Sequence, residues 1–168
     1  MADILIFVEQ GYEEFELWVP YYRFREAGLT VDVVGNEKRS YAGKHGIEVE
    51  ATATFSEVDL SRVRALVIPG GHAPDRLRLH ETAVELVRKA DELGIVIAAI
   101  CHAGSVLVSA GIVSGRRLTS YRSIRDDLRA AGADWVDEPV VIDRNLITSR
   151  TPRDLPQFLP AILAAIGS

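Results

Sequence analysis

Apolar positions along the chain fall into short unbroken runs separated by longer stretches of helical period. Residues 4–8 form a continuous apolar run of strand length, with Gly11 close behind. Over residues 13–27, Phe15, Leu17, Trp18, Tyr21, Tyr22 and Phe24 suit a helix that Gly28 ends, with Pro20 as a point of kinking or early break. Residues 30–34 read as a second strand. The pattern loosens between 39 and 55 around Gly43 and Gly46, which predicts a β-hairpin side element. Residues 65–68 form a buried strand that stops at Pro69-Gly70-Gly71. A helix over 81–93 puts Ala83, Leu86, Val87 and Ala90 on one face and stops at Gly94. Residues 95–100 are a fully apolar strand running into Cys101-His102 and a short helix to Ala110-Gly111. Further strands are expected at 118–121, 135–136 and 140–142, with a helix over 124–131. A hairpin turn at Asp143-Arg144-Asn145 leads into a strand at 146–148, and a helix over 154–166 closes the chain despite Pro156 and Pro160.

Strands apolar on both sides, alternating with amphipathic helices, imply an α/β fold with a mostly parallel sheet covered on both faces. Such sheets bind ligands outside the carboxyl ends of their strands. Glu13, Gly70-Gly71 and Cys101 follow the first, third and fourth strands and so converge there, although they are distant in sequence.

Composition narrows the function classes. The length of 168 residues predicts one domain spanning 1–168, long enough to stabilise its core without disulfide or metal. A charge of −5 argues against a nucleic-acid partner, since a duplex-binding module would show a basic face. No apolar run approaches the roughly 18 residues that a membrane span needs. The first run is too short for a signal peptide, and one cysteine cannot form an intrachain disulfide, so the cytoplasm is the expected setting. Four histidines with one thiol make a poor zinc inventory, and no metal is expected.

Ala99-Ile100-Cys101-His102-Ala103 has the form small–x–nucleophile–x–small between a buried strand and a helix, the cysteine counterpart of the nucleophile elbow. A helix start beside the sulfur favours the thiolate, so Cys101 is expected to titrate well below ~8.5. The alternative is an inert buried thiol. No histidine follows His102, which excludes papain-like enzymes and glutamine amidotransferases, and any Cys–His chemistry must use His102 itself. Glu13 is expected to meet Cys101, with a raised pKa, and to hydrogen-bond the sulfur or act as general acid or base; otherwise it is a helix-dipole residue. Gly70-Gly71 would expose backbone N–H groups suited to an oxyanion, or be a plain turn.

These residues resemble the PfpI-type intracellular proteases of the DJ/PfpI superfamily. The resemblance runs from Ile4 to about Leu155. It is carried by Glu13-x-x-Glu16-Leu17 with Pro20-Tyr21, Gly43-Lys44-His45-Gly46, residues 65–71 with Ala73-Pro74, Ile100-Cys101-His102, Thr119-Ser120-Tyr121, Asp126-Asp127, residues 135–137 and Ser149-Arg150. It implies a flavodoxin-like three-layer sandwich, similar to class I glutamine amidotransferases. It further implies Cys101 as nucleophile with Glu13 on its sulfur, an oxyanion site at Gly71 aided by the N–H of His102, and Asp75 of an adjacent subunit orienting His102. A homo-oligomer, dimer or hexamer, follows from that last role. The activities implied are peptide hydrolysis, conversion of methylglyoxal to lactate, and deglycation, all without cofactor. Three departures stand out: Ala103-Gly104 after Cys-His, Asp75 in place of the commoner glutamate, and Arg122-Ser123 in place of a Pro-Gly pair. If that last loop lines the site, Tyr121 and Arg122 join Gly70 and Gly71 as candidate substrate-binding residues, and Arg122 adds a cation near the thiolate.

The leading reading is therefore a cysteine-dependent hydrolase or glyoxalase-like enzyme acting on small carbonyl compounds or peptides. The rival is a non-catalytic stress protein, a redox sensor or holdase in which Cys101 is oxidised.

Overall fold

The computed structural model describes residues 1–167 of the chain. The unbroken apolar runs become the centre of one sheet, because only a strand covered on both faces can bury side chains pointing to both sides. The elements are β1 (Ile4–Phe7), α1 (Glu14–Glu26), β2 (Val31–Gly35), β3 (Ser40–Ala42), β4 (Glu48–Glu50), β5 (Ala53–Thr54), β6 (Ala65–Ile68), α2 (Ala73–Leu77), α3 (Glu81–Glu92), β7 (Val96–Ile100), α4 (Gly104–Ala110), β8 (Arg117–Leu118), α5 (Arg125–Ala130), β9 (Asp134–Trp135), β10 (Val140–Asp143), β11 (Leu146–Ser149) and α6 (Leu155–Ala165). The main sheet has the order β10-β11-β7-β6-β1-β2-β5 and is parallel except for the β10–β11 pair.

Alternation along each strand divides the interior in two. Leu5, Phe7, Leu66, Ile68, Ile97 and Ala99 face α3 and α4. Ile4, Ile6, Val67, Ala98 and Ile100 face the other way, onto Leu17 and Phe24 of α1 and Phe158 and Ile162 of α6. The expected three-layer sandwich is observed, and β3 with β4 forms the side hairpin. Pro20 does not break α1, which runs on to Glu26 with the proline buried. Two elements escape the sequence pattern: β5, which joins the main sheet beside β2 instead of the side hairpin, and the segment after Gly71-His72, which is a helix, α2, with Pro74 in its first turn. The five residues of α2 are too few for a visible hydrophobic period.

The order of strands reverses beside β1, and the loops at that end are stitched together. The Tyr12 and Gly71 backbones form an antiparallel bridge. Glu13 N donates to Gly70 O at 3.1 Å, His72 N to Gly11 O at 2.8 Å, and Lys44 N to Tyr12 O at 2.9 Å. The loops after β1 and β6 and the β3–β4 turn thus form one rigid rim.

The opposite end of the sheet is fastened by Arg116, whose side chain is 4% exposed. It reaches Asp91 at 3.1 Å, the Asp143 carbonyl at 2.7 Å and the Asn145 amide oxygen at 3.1 Å, tying the end of α3 to the β10–β11 turn. Replacement by methionine strands two carboxylates that are each about a quarter exposed. Arg116→Met should cost about 2–3 kcal/mol, read as a lower urea midpoint with unchanged m-value and unchanged Cys101 reactivity. A midpoint within experimental error of wild type would show that the cluster adds nothing.

Candidate active site

Cys101 follows β7 directly and has φ of +62°, left-handed backbone in a non-glycine residue. Such a conformation costs on the order of 1–3 kcal/mol and persists only where the surroundings impose it. Here a 3-10 turn over Cys101–Ala103 leads straight into α4, and Tyr121 N donates to the Cys101 carbonyl at 3.0 Å. The turn lifts the sulfur to the floor of an open cleft of about 1000 Å³. The N–H groups of Gly71 and His102 both face that sulfur.

His102 does not point away from its neighbour, as adjacent residues on a turn usually do. Its Nδ1 lies 3.3 Å from Sγ of Cys101, and its ring stacks on Tyr121 with centroids 4.8 Å apart. Nε2 lies 3.2 Å from Oγ of Ser123. Burial, with the charges of His72 and Lys44, holds the imidazole below its usual range, so it is neutral at pH 7.

The carboxyl beside the thiol is Glu16 rather than Glu13. Glu13 is the N-cap of α1, and its Oε2 accepts from Glu16 N at 3.0 Å. One turn on, the Glu16 side chain does not reach back to the cap. It leans over the start of the helix, and Oε2 accepts from Gly70 N at 2.6 Å. Glu16 is fully buried, and its Oε1 has no hydrogen-bond partner among the described residues. Burial, with Glu13 adding its charge, pushes the Glu16 carboxyl up to about 8, so it is an acid at neutral pH. Burial and the Glu16 carboxylate push the Cys101 thiol up to about 12, against the Gly71 and His102 N–H groups. The expectation that the helix start would dominate and lower the thiol is not met: burial of the thiol, and then the buried carboxyl beside it, outweigh the N–H groups. When Glu16 holds its proton its share of that rise vanishes and only the burial of the thiol remains, and Oε1 can present the proton to sulfur. The two groups therefore titrate as a coupled pair, uncharged below about pH 8 and carrying one negative charge between them above it.

Gly70 is not an oxyanion donor, because its N–H is spent on Glu16. A Cβ there would sit 2.7 Å from the Cys101 Cβ and 2.7 Å from Glu16 Oε2, so glycine is needed for close approach. The Gly71 N–H is the one directed at the sulfur. Tyr121 lines the cleft. Arg122 lines an adjoining cleft with Arg150 and Phe15 and is exposed, so it does not bring the expected cation to the thiol. Lys44, on the β3–β4 turn, supplies one instead. Asp75 is exposed on α2 at the cleft rim, and no hydrogen bond joins it to His102 among the described residues. Glu13, Glu14 and His45 bring ligand atoms within 4.8 Å of one another, but Glu14 already accepts from the His45 backbone at 2.6 Å and contacts its ring at 3.1 Å.

Sequence reading missed Glu16, Lys44 and Ser123. A signal for the first was present: Glu16 shares the helix face of Leu17, Pro20 and Phe24, all buried, where a carboxylate has no structural reason to be.

A thiol on a left-handed strand-to-helix turn, with a histidine and a buried acid against it, places the protein among α/β sandwiches with a cysteine elbow. The chain belongs to the DJ-1/PfpI family, whose profile matches residues 2–165. It is 46% identical over 152 residues to a Pyrococcus furiosus protein named Deglycase PfpI, covering 90% of this chain and 92% of that one. It is 36% identical over 170 residues to an Escherichia coli protein named Protein/nucleic acid deglycase 2, covering 98% of each. Among solved structures it matches a two-domain DJ-1/ThiJ/PfpI-like and ferritin-like protein from Anabaena variabilis, with TM-score 0.96 and 40% identity. That match covers 98% of this chain and 48% of the other. Family membership and the deglycase names support a family-level hydrolase or deglycase role.

A carboxyl with a raised pKa makes folding favour the protonated form. Between pH 4.5 and 8 the native chain binds the Glu16 proton and the unfolded chain does not, so stability falls as pH rises through this window. Glu16→Gln removes the effect. Its stability relative to wild type should climb by about 1.4 kcal/mol per pH unit across that window, measured by urea unfolding at pH 5, 6, 7 and 8. A pH-independent difference would mean that Glu16 titrates normally.

Proposed function

We propose that the chain, working as one domain in a homo-oligomer, is a cysteine-dependent hydrolase of small reactive carbonyl compounds. Methylglyoxal conversion to lactate is the model reaction, and deglycation or peptide hydrolysis would use the same thiol. The observation that carries this reading is Sγ of Cys101 lying 3.3 Å from His102 Nδ1 on the floor of an open cleft, with two N–H groups facing it.

His102 Nδ1 takes the thiol proton, and the sulfur adds to the aldehyde carbon. The carbonyl oxygen gains the displaced electron pair between the N–H groups of Gly71 and His102, then a proton, which completes the hemithioacetal. His102 removes the hydrogen on that carbon as a proton, giving an enediol, and the proton returns on the neighbouring carbon. A lactate thioester results. Water cleaves it, releasing lactate and restoring the thiol. The net change is addition of water, with no oxidant, reductant or cofactor. Glu16 supplies the sulfur with a buried acid partner, while Glu13 shapes the wall and caps α1. Asp75 of an adjacent subunit would bring its carboxylate to the His102 side of the cleft, because the rim position leaves it open to a second copy.

The alternative, a redox sensor or holdase, draws on the same geometry: the chain has one cysteine, so an oxidised Cys101 has no intrachain partner. Lactate formation from methylglyoxal separates the two. Wild type should turn over, Cys101→Ala should lose at least about 10³-fold, and Asp75→Ala at least about tenfold. Absence of turnover by reduced wild type on aldehydes and peptides alike would overturn the enzyme reading.

A further inference from the structure

A neutral imidazole carries one proton, so the two contacts of His102 decide which nitrogen bears it. Nδ1 faces Sγ at 3.3 Å and Nε2 faces Oγ of Ser123 at 3.2 Å. To act as base toward the thiol, Nδ1 must present its lone pair, and the proton must sit on Nε2. We propose that Ser123 is the positioning residue that holds His102 in this state, by accepting the Nε2 proton from within the same chain.

The loop is built for that task. Ser123 lies in a 3-10 turn over Arg122–Ile124, with Ile124 N bonded to the Tyr121 carbonyl at 3.2 Å. Tyr121 in turn donates from its backbone to the Cys101 carbonyl and stacks its ring on His102. The serine is thus tied to the elbow through one residue and cannot drift independently of it.

A hydroxyl suits both halves of a proton transfer. When His102 is neutral, Oγ accepts the Nε2 proton. After Nδ1 takes the thiol proton, Nε2 keeps its own and Oγ goes on accepting it, so nothing rearranges. The exposed hydroxyl keeps its own hydrogen free to give, to solvent or to the Asp75 carboxylate that an adjacent subunit would bring. Carrying no charge, Ser123 stabilises the imidazolium less than a carboxylate would. That agrees with a ring already kept neutral by burial and by nearby His72 and Lys44, and ready to release a proton once it has taken one.

The test needs no substrate. Nitrogen-15 shifts of His102 report the tautomer, and iodoacetamide alkylation of Cys101 against pH reports the base. Wild type should show a protonated Nε2 and an unprotonated Nδ1. Ser123→Ala should mix the tautomers and slow alkylation at pH 7 by about tenfold, and Ser123→Thr should restore both. Ser123→Asp should raise the His102 midpoint by about one unit or more. Wild-type tautomer and alkylation profile in Ser123→Ala would overturn the proposal, even if methylglyoxal is turned over. Normal wild-type tautomer and alkylation without turnover of any carbonyl would instead count against the proposed reaction alone.

Discussion

The site depends on one buried contact, the Glu16 carboxyl held by Gly70 N at 2.6 Å beneath the Cys101 thiol. Burying an ionisable acid without a cation is costly, and the chain meets that cost by keeping the proton on. Everything nearby follows from making room for this pair. Residue 70 must be glycine, Cys101 must adopt φ +62°, and the loops after β1 and β6 must be bonded to each other so that neither partner can withdraw.

Around that pair the remaining groups divide the work by charge. His102 stays neutral because burial and the neighbouring cations disfavour a second positive charge, and its outer nitrogen rests on an uncharged hydroxyl. Two backbone N–H groups, which cannot titrate at all, face the sulfur where negative charge would develop. Sulfur, imidazole and carboxyl are therefore all uncharged at neutral pH, and a proton that leaves the sulfur finds its acceptor in the imidazole 3.3 Å away. Lys44 at the rim biases this exchange toward the charged sulfur without touching it.

The architecture was readable in the sequence because strand runs and helical period are local, and the convergence of three loops follows from topology alone. Cys101, His102 and Gly71 line one cleft for that reason. Glu16 was passed over for Glu13 because adjacency to a strand end was weighed above the helix face. Gly70 was misassigned with it, since its N–H has a partner that only the Glu16 side-chain direction reveals. Ser123 and Lys44 lie in turns without period, and α2 is shorter than any pattern can resolve. Arg122 is next to Tyr121 in sequence, but the 3-10 turn sends it to the adjoining cleft while Ile124 lines the one that holds the thiol.

The shared charge of Cys101 and Glu16 is the claim on which the rest stands, and the ultraviolet absorbance of the thiolate reports it directly. In wild type the signal should grow in two stages. Part should appear near pH 8 as the pair loses its first proton, and the rest toward pH 12 as both groups ionise. In Glu16→Gln the coupling is gone and one simple titration should remain. Superimposable single-stage curves for the two proteins would mean that the buried acid and the thiol do not share a proton.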